Sequence, residues 1–197
     1  MERETIFRNL IKDLSGVAIE IGTCWGGWAE FLALNGSFNH LVCVDPYKVY
    51  PMDVYNDALN TMTQQQCDSK HQQVEARLQN VSSVGKTKIT LLRQESEKAS
   101  LGFIDGSVSF VYIDGNHHYS EVLKDLCFWW VKVKVGGVLA GDDVEPDVPH
   151  QDGNLFITHQ PGSYGLYGVR SALVHFKKLV PNFNYIIIGS QFFAVKI

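Results

Sequence analysis

The stretch VAIEIGTCWGG, residues 17–27, decides the fold class of this chain. Its first half is a short apolar run rich in β-branched residues, which is typical of a strand buried on both faces. The glycines that follow permit a tight turn and a close approach of the backbone to a ligand. The sequence therefore predicts a strand, a ligand-binding turn and the start of a helix, in that order.

Four further apolar runs of the same kind follow: HLVCVD at 40–45, KITLLRQ at 88–94, VSFVYID at 108–114 and GGVLAGD at 136–142. Helical spacing lies between them, at Trp28 to Leu34, in two segments within 53–82, and at Glu121 to Val131. This alternation predicts right-handed crossovers and a parallel sheet. After a helix near Val169 to Leu179, the run NYIIIGSQFFAVKI predicts a terminal hairpin around Gly189-Ser190. We expect an α/β fold, with a mostly parallel seven-stranded sheet, helices on both faces and a C-terminal antiparallel hairpin.

Length and composition limit the function classes. A chain of 197 residues with 45% apolar residues is expected to form one domain, 1–197. The first residues, MERETIFRNLIKDL, are charged and helix-patterned, and no segment reaches about eighteen consecutive apolar residues, so neither secretion nor a membrane span is expected. Four widely spaced cysteines suggest neither a zinc site nor a disulfide framework and favour a reducing, cytoplasmic compartment. The net charge of -4 favours a small-molecule partner over nucleic acid or an anionic membrane.

Asp45 ends the second predicted strand, about 20 residues past the glycine turn, where a carboxylate can bind ribose hydroxyls. Together with Gly22 and Gly26 it favours an adenosine-type ligand. The alternative is that the glycines form only a turn and Asp45 caps a helix. An NAD-type oxidoreductase is a weaker hypothesis, because the loop reads G-x-C-x-x-G with Cys24 where the dinucleotide pattern has glycine. The terminal hairpin also departs from an all-parallel nucleotide-binding sheet.

Five segments carry a resemblance to a known family: EIGTCWGG, VCVDPY, RQES, YIDGNHHYSEVLKDL and VGGVLAGDD. In this order they resemble the class I S-adenosylmethionine-dependent methyltransferases, in the family of the macrocin-type and mycinamicin-type sugar O-methyltransferases. The resemblance covers residues 15–145 and is most specific in D-G-x-H-x-Y followed by G-G-x-x-x-x-D-D. It implies a Rossmann-like methyltransferase fold and S-adenosylmethionine as cofactor.

The resemblance also implies roles for individual residues. Glu20 and Gly22 would face the methionine part of the cofactor, and Asp45 would face the ribose. Glu95 with Ser96 would face the adenine edge. The expected cofactor-binding set is completed by Thr23, Gly26 and Asp114.

Three carboxylates are expected at the acceptor end. Asp114 ends the fourth predicted strand and Asp142-Asp143 end the fifth, so all three should lie on the same rim as the cofactor. Mg²⁺ or another hard divalent cation prefers such oxygen ligands and would lower the pKa of an acceptor hydroxyl. The alternative is that these aspartates cap helices. Adjacent side chains on a regular strand point oppositely, so Asp142 and Asp143 can both be metal ligands only if the strand breaks.

His117 lies three residues past Asp114 and is the predicted general base, since an unperturbed imidazole titrates at about 6.5. It resembles the general base of the sugar O-methyltransferases, and the alternative is a packing or capping histidine. The expected activity is methyl transfer to a hydroxyl group of a small molecule. A non-catalytic cofactor-binding module of the same fold is the alternative.

Residues 145–168 are rich in Gly, Pro, His and Tyr and have little periodicity. We expect 150–168 to form a mobile lid over the acceptor, with Tyr164, Tyr167 or His159 contacting it. Only about sixteen residues precede the first predicted strand. The acceptor site is therefore expected to be open or to be completed by another subunit of a homo-oligomer.

Overall fold

One mixed sheet organises the computed structural model, which describes residues 3–51, 61–144 and 168–197. In these ranges the strands are β1 (Val17–Ile21), β2 (His40–Val44), β3 (Lys88–Leu92), β4 (Val108–Ile113), β5 (Val133–Gly141), β6 (Tyr185–Ile188) and β7 (Gln191–Val195). The helices are α1 (Arg3–Ile11), α2 (Gly27–Asn35), α3 (Gln64–Val84), α4 (Ser96–Ser100), α5 (Tyr119–Trp130) and α6 (Val169–Leu179).

The strand order is β3-β2-β1-β4-β5-β7-β6. Strands β1 to β5 pair in parallel, whereas β7 runs antiparallel to both β5 and β6. The predicted α/β fold with its terminal hairpin is confirmed. The chain order reverses between β1 and β4, and a ligand crevice forms at such a switch point in open α/β sheets.

Helices cover both faces of the sheet. On one face, Phe7 of α1, Leu32 of α2 and Leu78 of α3 belong to one buried cluster. On the other face, Trp129 of α5 and Phe176 of α6 belong to a second cluster. The two layers leave the carboxyl ends of the parallel strands as the rim on which a site can form.

Strand β3 differs from the prediction. It was expected to be buried on both faces, but Lys88 is exposed and the rest of the strand is only half-buried. The reason is its place at the edge of the sheet, where neither face is fully covered. The other edge strand, β6, shows the same effect, with Ile186 and Ile188 exposed.

One helix, α3, occupies most of the region in which two helical segments were predicted. It begins after Thr63, whose side chain accepts from the amide of Gln66 while the Gln66 side chain accepts from the amide of Thr63. This reciprocal capping fixes the start of the helix. The earlier predicted segment falls largely in residues 52–60, outside the described residues.

The lid prediction cannot be compared with the structure. Residues 145–167, including Tyr164, Tyr167 and His159, lie outside the described residues. None of the helices in the described ranges has the length and apolar character needed to cross a bilayer.

Candidate active site

A cavity of about 510 Å³ opens at the carboxyl ends of the parallel strands. Its volume is in the range of small-molecule sites. Of the residues predicted to bind cofactor or metal, its wall includes Gly22, Asp45, Glu95, Ser96 and Asp114. The remaining wall combines apolar and charged side chains, including Tyr47, Tyr50, Met62, Lys70, Lys124, Asp125 and Phe128.

Gly22 allows the turn after β1 to lie directly against the end of β4. Its φ is +88°, and a Cβ atom at this position would be 2.0 Å from the carbonyl oxygen of Asp114. No other residue type fits such a contact. The close approach that the structure shows at Gly22 is to Asp114, and the predicted approach of the backbone to a ligand stays a prediction.

Asp45 holds the same turn from the end of β2. Its Oδ2 accepts from the amide of Cys24 at 2.9 Å and its Oδ1 from the amide of Tyr47 at 2.8 Å. Burial raises the pKa of Asp45, and the two backbone hydrogen bonds act in the opposite direction. Cys24, Tyr47 and Asp143 are the non-glycine residues with positive φ in the described ranges, and all three lie on this rim. Backbone strain of this kind is typical of functional sites.

Glu20, Thr23 and Gly26 support the turn and do not line the cavity. Glu20 is 1% exposed, and burial raises its pKa to about 8, which leaves its carboxyl group mostly uncharged at neutral pH. Thr23 is also buried. Gly26 gives α2 close contact with α3, because a Cβ there would lie 3.0 Å from Val74. Direct cofactor contact by these three residues stays a prediction.

Glu95, which follows β3, also lines the cavity. Both of its carboxylate oxygens accept from the Tyr50 hydroxyl at 2.8 Å, and Oε1 is 3.5 Å from the ammonium of Lys48. Burial and this hydrogen bond raise the pKa of Tyr50. Glu95 thus lines the cavity with its carboxylate already bonded to Tyr50, and its role at the adenine edge stays a prediction.

Ser96 connects the cavity wall to α5. Its hydroxyl donates to Oδ1 of Asp125 at 2.5 Å and accepts from Nε1 of Trp129 at 2.8 Å. Burial raises the pKa of Asp125 to about 7. The Ser96 hydroxyl therefore holds Asp125 in the wall, and its predicted contact with the adenine edge stays a prediction.

Asp114, His117 and Asp143 form a candidate metal-binding group. One ligand atom from each lies within 4.8 Å of the others. Nε2 of His117 is 3.1 Å from Oδ2 of Asp143 and 3.6 Å from Oδ1 of Asp114. Two carboxylates and an imidazole are a donor set that fits a divalent cation.

Asp142 differs from the other predicted metal ligands in its contacts, and its role as a metal ligand stays a prediction. It lies outside the group, because its carboxylate accepts from the side chains of Ser190 and Gln191 at the start of β7. The strand breaks as required, with Asp143 at a φ of +56°. The break separates the two neighbours, leaving Asp142 against β7 and placing Asp143 beside His117.

Arg3 is a rim residue that sequence analysis missed. Its guanidinium is 2.7 Å from Asp142 and 3.6 Å from Asp114, and it lies 3.9 Å over the Trp28 ring. The short N-terminal segment was expected to leave the acceptor end uncovered, but α1 carries a cation to it. An arginine in a charged first helical turn gives no sequence signal for this contact.

Lys70 and Asp125 were also missed, although each had a weak signal. Lys70 follows Cys67 and precedes Val74 on the buried stripe of α3. Asp125 lies beside Leu126 and Trp129 on the apolar side of α5. A charged residue within an apolar stripe is a recognisable anomaly, since such residues are rarely buried without a partner.

A mostly parallel sheet with a cavity at its switch point and a carboxylate at the end of β2 defines a Rossmann-like α/β ligand-binding protein. A family model described as a methyltransferase domain matches residues 19–144. The chain therefore belongs to this methyltransferase family.

Solved structures show the same fold. The chain is similar to an rRNA methylase from Streptococcus thermophilus, with a TM-score of 0.58, 13% identity, and coverage of 100% of this chain and 98% of that one. It is similar to a candidate O-methyltransferase from Klebsiella pneumoniae, with a TM-score of 0.56, 17% identity, and coverage of 98% and 78%. A cofactor-bound protein from MTB has a TM-score of 0.55, 12% identity, and coverage of 98% and 77%. No curated protein sequence matches the chain.

Proposed function

We propose that this protein transfers a methyl group from S-adenosylmethionine to a hydroxyl oxygen of a small molecule, assisted by a divalent cation. The main observation behind the proposal is that Asp114 belongs to both the cavity wall and the candidate metal-binding group. This residue lines the cavity and also belongs to the Asp114, His117 and Asp143 group. A donor in the cavity and an acceptor at the carboxylates would therefore be neighbours, as direct transfer requires.

The cavity supplies matching contacts for the donor. Asp45 at the end of β2 is the candidate ribose ligand, and the turn at Gly22 faces the amino-acid part. Glu95 and Asp125, the latter held by Ser96, are the carboxyl groups of the cavity wall that would face the adenine edge. When bound, S-adenosylmethionine supplies a methyl group on a positively charged sulfur. In the transfer the methyl group would pass to the acceptor oxygen, the bonding electron pair would stay on the sulfur, and the hydroxyl proton would be released to water.

The metal-binding group provides for loss of that proton. Asp114, His117 and Asp143 would hold the cation, which lowers the pKa of a coordinated hydroxyl. An imidazole in the set makes Mn²⁺, Fe²⁺ or Zn²⁺ as suitable as Mg²⁺. In this arrangement His117 is a ligand, whereas the sequence suggested a general base.

The acceptor class rests on charge and on the family resemblance. The net charge of -4 and the acidic rim disfavour a phosphate-rich acceptor. The resemblance to sugar O-methyltransferases favours a hydroxylated small molecule. The related structures are described with both rRNA and oxygen acceptors, and at their low identities they do not distinguish these classes.

Turnover with and without metal tests this proposal. We expect methylation of a hydroxylated acceptor panel to stop in excess EDTA and to return with Mg²⁺ or Mn²⁺. Asp143→Asn should lower turnover by about 100-fold with little change in donor affinity. Asp142→Asn is the matched control, and it should retain the metal response, with its main effect on thermal stability. Full activity in EDTA, or equal loss of metal response in both variants, would contradict the metal assignment.

The role of His117 needs a separate measurement. As a metal ligand, His117→Gln should weaken metal affinity about 10- to 100-fold, measured by calorimetry with Mn²⁺. If metal affinity is unchanged and the variant instead loses the acid limb of the pH-rate profile, His117 is the general base.

A further inference from the structure

Three lysines line the cavity, and they differ in how their charge is balanced. The ammonium of Lys48 is 3.5 Å from Glu95, and that of Lys124 is 2.8 Å from Glu121. Within the described part of the chain, Lys70 has no carboxylate oxygen within 4.0 Å of its ammonium. Lys70 is therefore the cavity lysine whose charge no described acidic side chain neutralises by contact.

The surroundings of Lys70 compensate only in part for the hydration that its ammonium group loses on burial. The residue is 7% exposed, and its Nζ lies 3.1 Å from Sγ of Cys24. Nζ also lies 4.6 Å from the centre of the Trp25 ring and 6.0 Å from that of Tyr47. Aromatic faces attract a cation, but they replace only part of its lost hydration. The buried ammonium group of Lys70 can therefore bind an anionic group of a ligand in the cavity.

Asp45 is an acidic residue near Lys70, but its carboxylate oxygens are bonded to backbone amides. Lys70 acts to lower the pKa of Asp45, so the two groups interact at a distance. Both Asp45 oxygens accept backbone hydrogen bonds, from Cys24 and from Tyr47. These contacts fix the carboxylate against the turn, where it shapes the site and leaves Lys70 available.

We propose that Lys70 is an anion-binding residue that binds the α-carboxylate of the methyl donor. This inference rests on the proposed function. Lys70 contacts Cys24 and Trp25, which belong to the same turn as Gly22, the residue expected to face the amino-acid part of the donor. Lys48 and Lys124 are each paired with a glutamate of the cavity wall. The α-carboxylate is the one anionic group of S-adenosylmethionine, so the ligand provides a single match for this cation.

Calorimetry with two ligands tests the assignment. One ligand is S-adenosylhomocysteine, and the other is its decarboxylated analogue, which keeps the adenosine, the sulfur and the amine. The wild-type protein should prefer S-adenosylhomocysteine by about 10- to 100-fold, the range of a charge-assisted hydrogen bond. Lys70→Met should lose this preference, because only the ligand with a carboxylate loses a contact.

Two further variants control the experiment. Lys124→Met removes another cavity lysine of the same length and should leave the preference intact. Lys70→Arg keeps the charge and should retain part of the preference. Lys70→Met without ligand should melt at or above the wild-type temperature, because an unbalanced buried charge has been removed. A merely structural lysine would give a lower melting temperature.

Failure of the proposed function and failure of the Lys70 assignment would give different results. A wild-type protein that binds neither ligand contradicts the proposed function and the Lys70 assignment with it. A wild-type protein that prefers S-adenosylhomocysteine, together with a Lys70→Met variant that keeps the preference, contradicts the Lys70 assignment alone. Equal weakening of both ligands by Lys70→Met does the same.

Discussion

Asp125 links the stability of the protein to pH through a single buried carboxyl group. Burial raises its pKa from 3.8 to about 7, and the hydrogen bond from Ser96 opposes the shift only in part. Between about pH 4 and 7 the unfolded chain has lost this proton while the folded chain keeps it. The Asp125 contribution therefore lowers the free energy of unfolding as pH rises through this window, and the full penalty applies above it.

We expect Asp125→Asn to remove this contribution. As pH rises from about 4 to 8, the free energy of unfolding of the variant should increase relative to that of the wild type, by at most about 4 kcal/mol. Urea denaturation at several pH values measures it. A difference that stays constant with pH would show that Asp125 titrates in its ordinary range in the folded protein.

Gly22 and Gly27 give a matched test of the turn. Gly22→Ala should cost more than about 3 kcal/mol, because its Cβ would overlap the Asp114 carbonyl group at a positive φ. Nothing lies within 4 Å of a Cβ at Gly27, the first residue of α2. Gly27→Ala should be neutral or stabilise by up to about 1 kcal/mol. Equal losses in thermal unfolding would contradict the close approach at Gly22.

Single residues were predicted from sequence where a strand end alone determined their position. Asp45 and Asp114 follow apolar runs, so their places on the rim could be predicted. The separation of Asp142 from Asp143 could not be predicted. It depends on a left-handed residue and on Ser190 and Gln191, which lie 48 and 49 positions further along the chain, just before and at the start of β7. Lys70 meets Cys24 across 46 positions, and no local pattern encodes that contact.

Among the elements, helix α1 contributes Phe7 to the core and the positively charged Arg3 to the rim. Phe7 is fully buried, with its ring centre 4.9 Å from that of Trp28 and 5.3 Å from that of Tyr112. Phe7→Ala should cost about 3–5 kcal/mol in chemical denaturation, as large core truncations do. The loss should be accompanied by faster proteolysis near the N-terminus.

Arg3→Gln separates the charge from the packing of α1. Arg3 is 36% exposed, so loss of its ion pair with Asp142 should cost less than about 1 kcal/mol. The same variant should raise affinity for a divalent cation at Asp114 and Asp143, since a competing positive charge has been removed. A larger stability loss from Arg3→Gln than from Phe7→Ala would contradict this division of roles.

Elements were predicted well where they are buried and less well at edges and joints. The inner parallel strands β1, β2, β4 and β5 matched apolar runs, because burial between two helical layers selects such runs. The exposure of β3 follows from its edge position, which depends on the order of strands in the sheet. The start of α3 was encoded locally by Thr63 and Gln66, but a capping box inside a polar run is easily overlooked.

For the whole molecule, the topology explains why the residues proposed to bind the donor and the acceptor lie close together. The chain order reverses between β1 and β4, so the turn at Gly22 and the loop after Asp114 face the same crevice. Alternation of strands and helices was enough to predict this architecture from sequence. The acceptor was not predictable in the same way, because its contacts depend on side chains rather than on the fold.

Calorimetry with S-adenosylhomocysteine and NAD tests the central claim, that the cavity binds the methyl donor. We expect S-adenosylhomocysteine to bind at one site per chain and NAD not to bind. Asp45→Ala should weaken S-adenosylhomocysteine by about tenfold or more, through loss of the ribose contacts and of the turn that Asp45 holds. Selective binding of NAD, or S-adenosylhomocysteine affinity unchanged in a folded Asp45→Ala variant, would contradict the account.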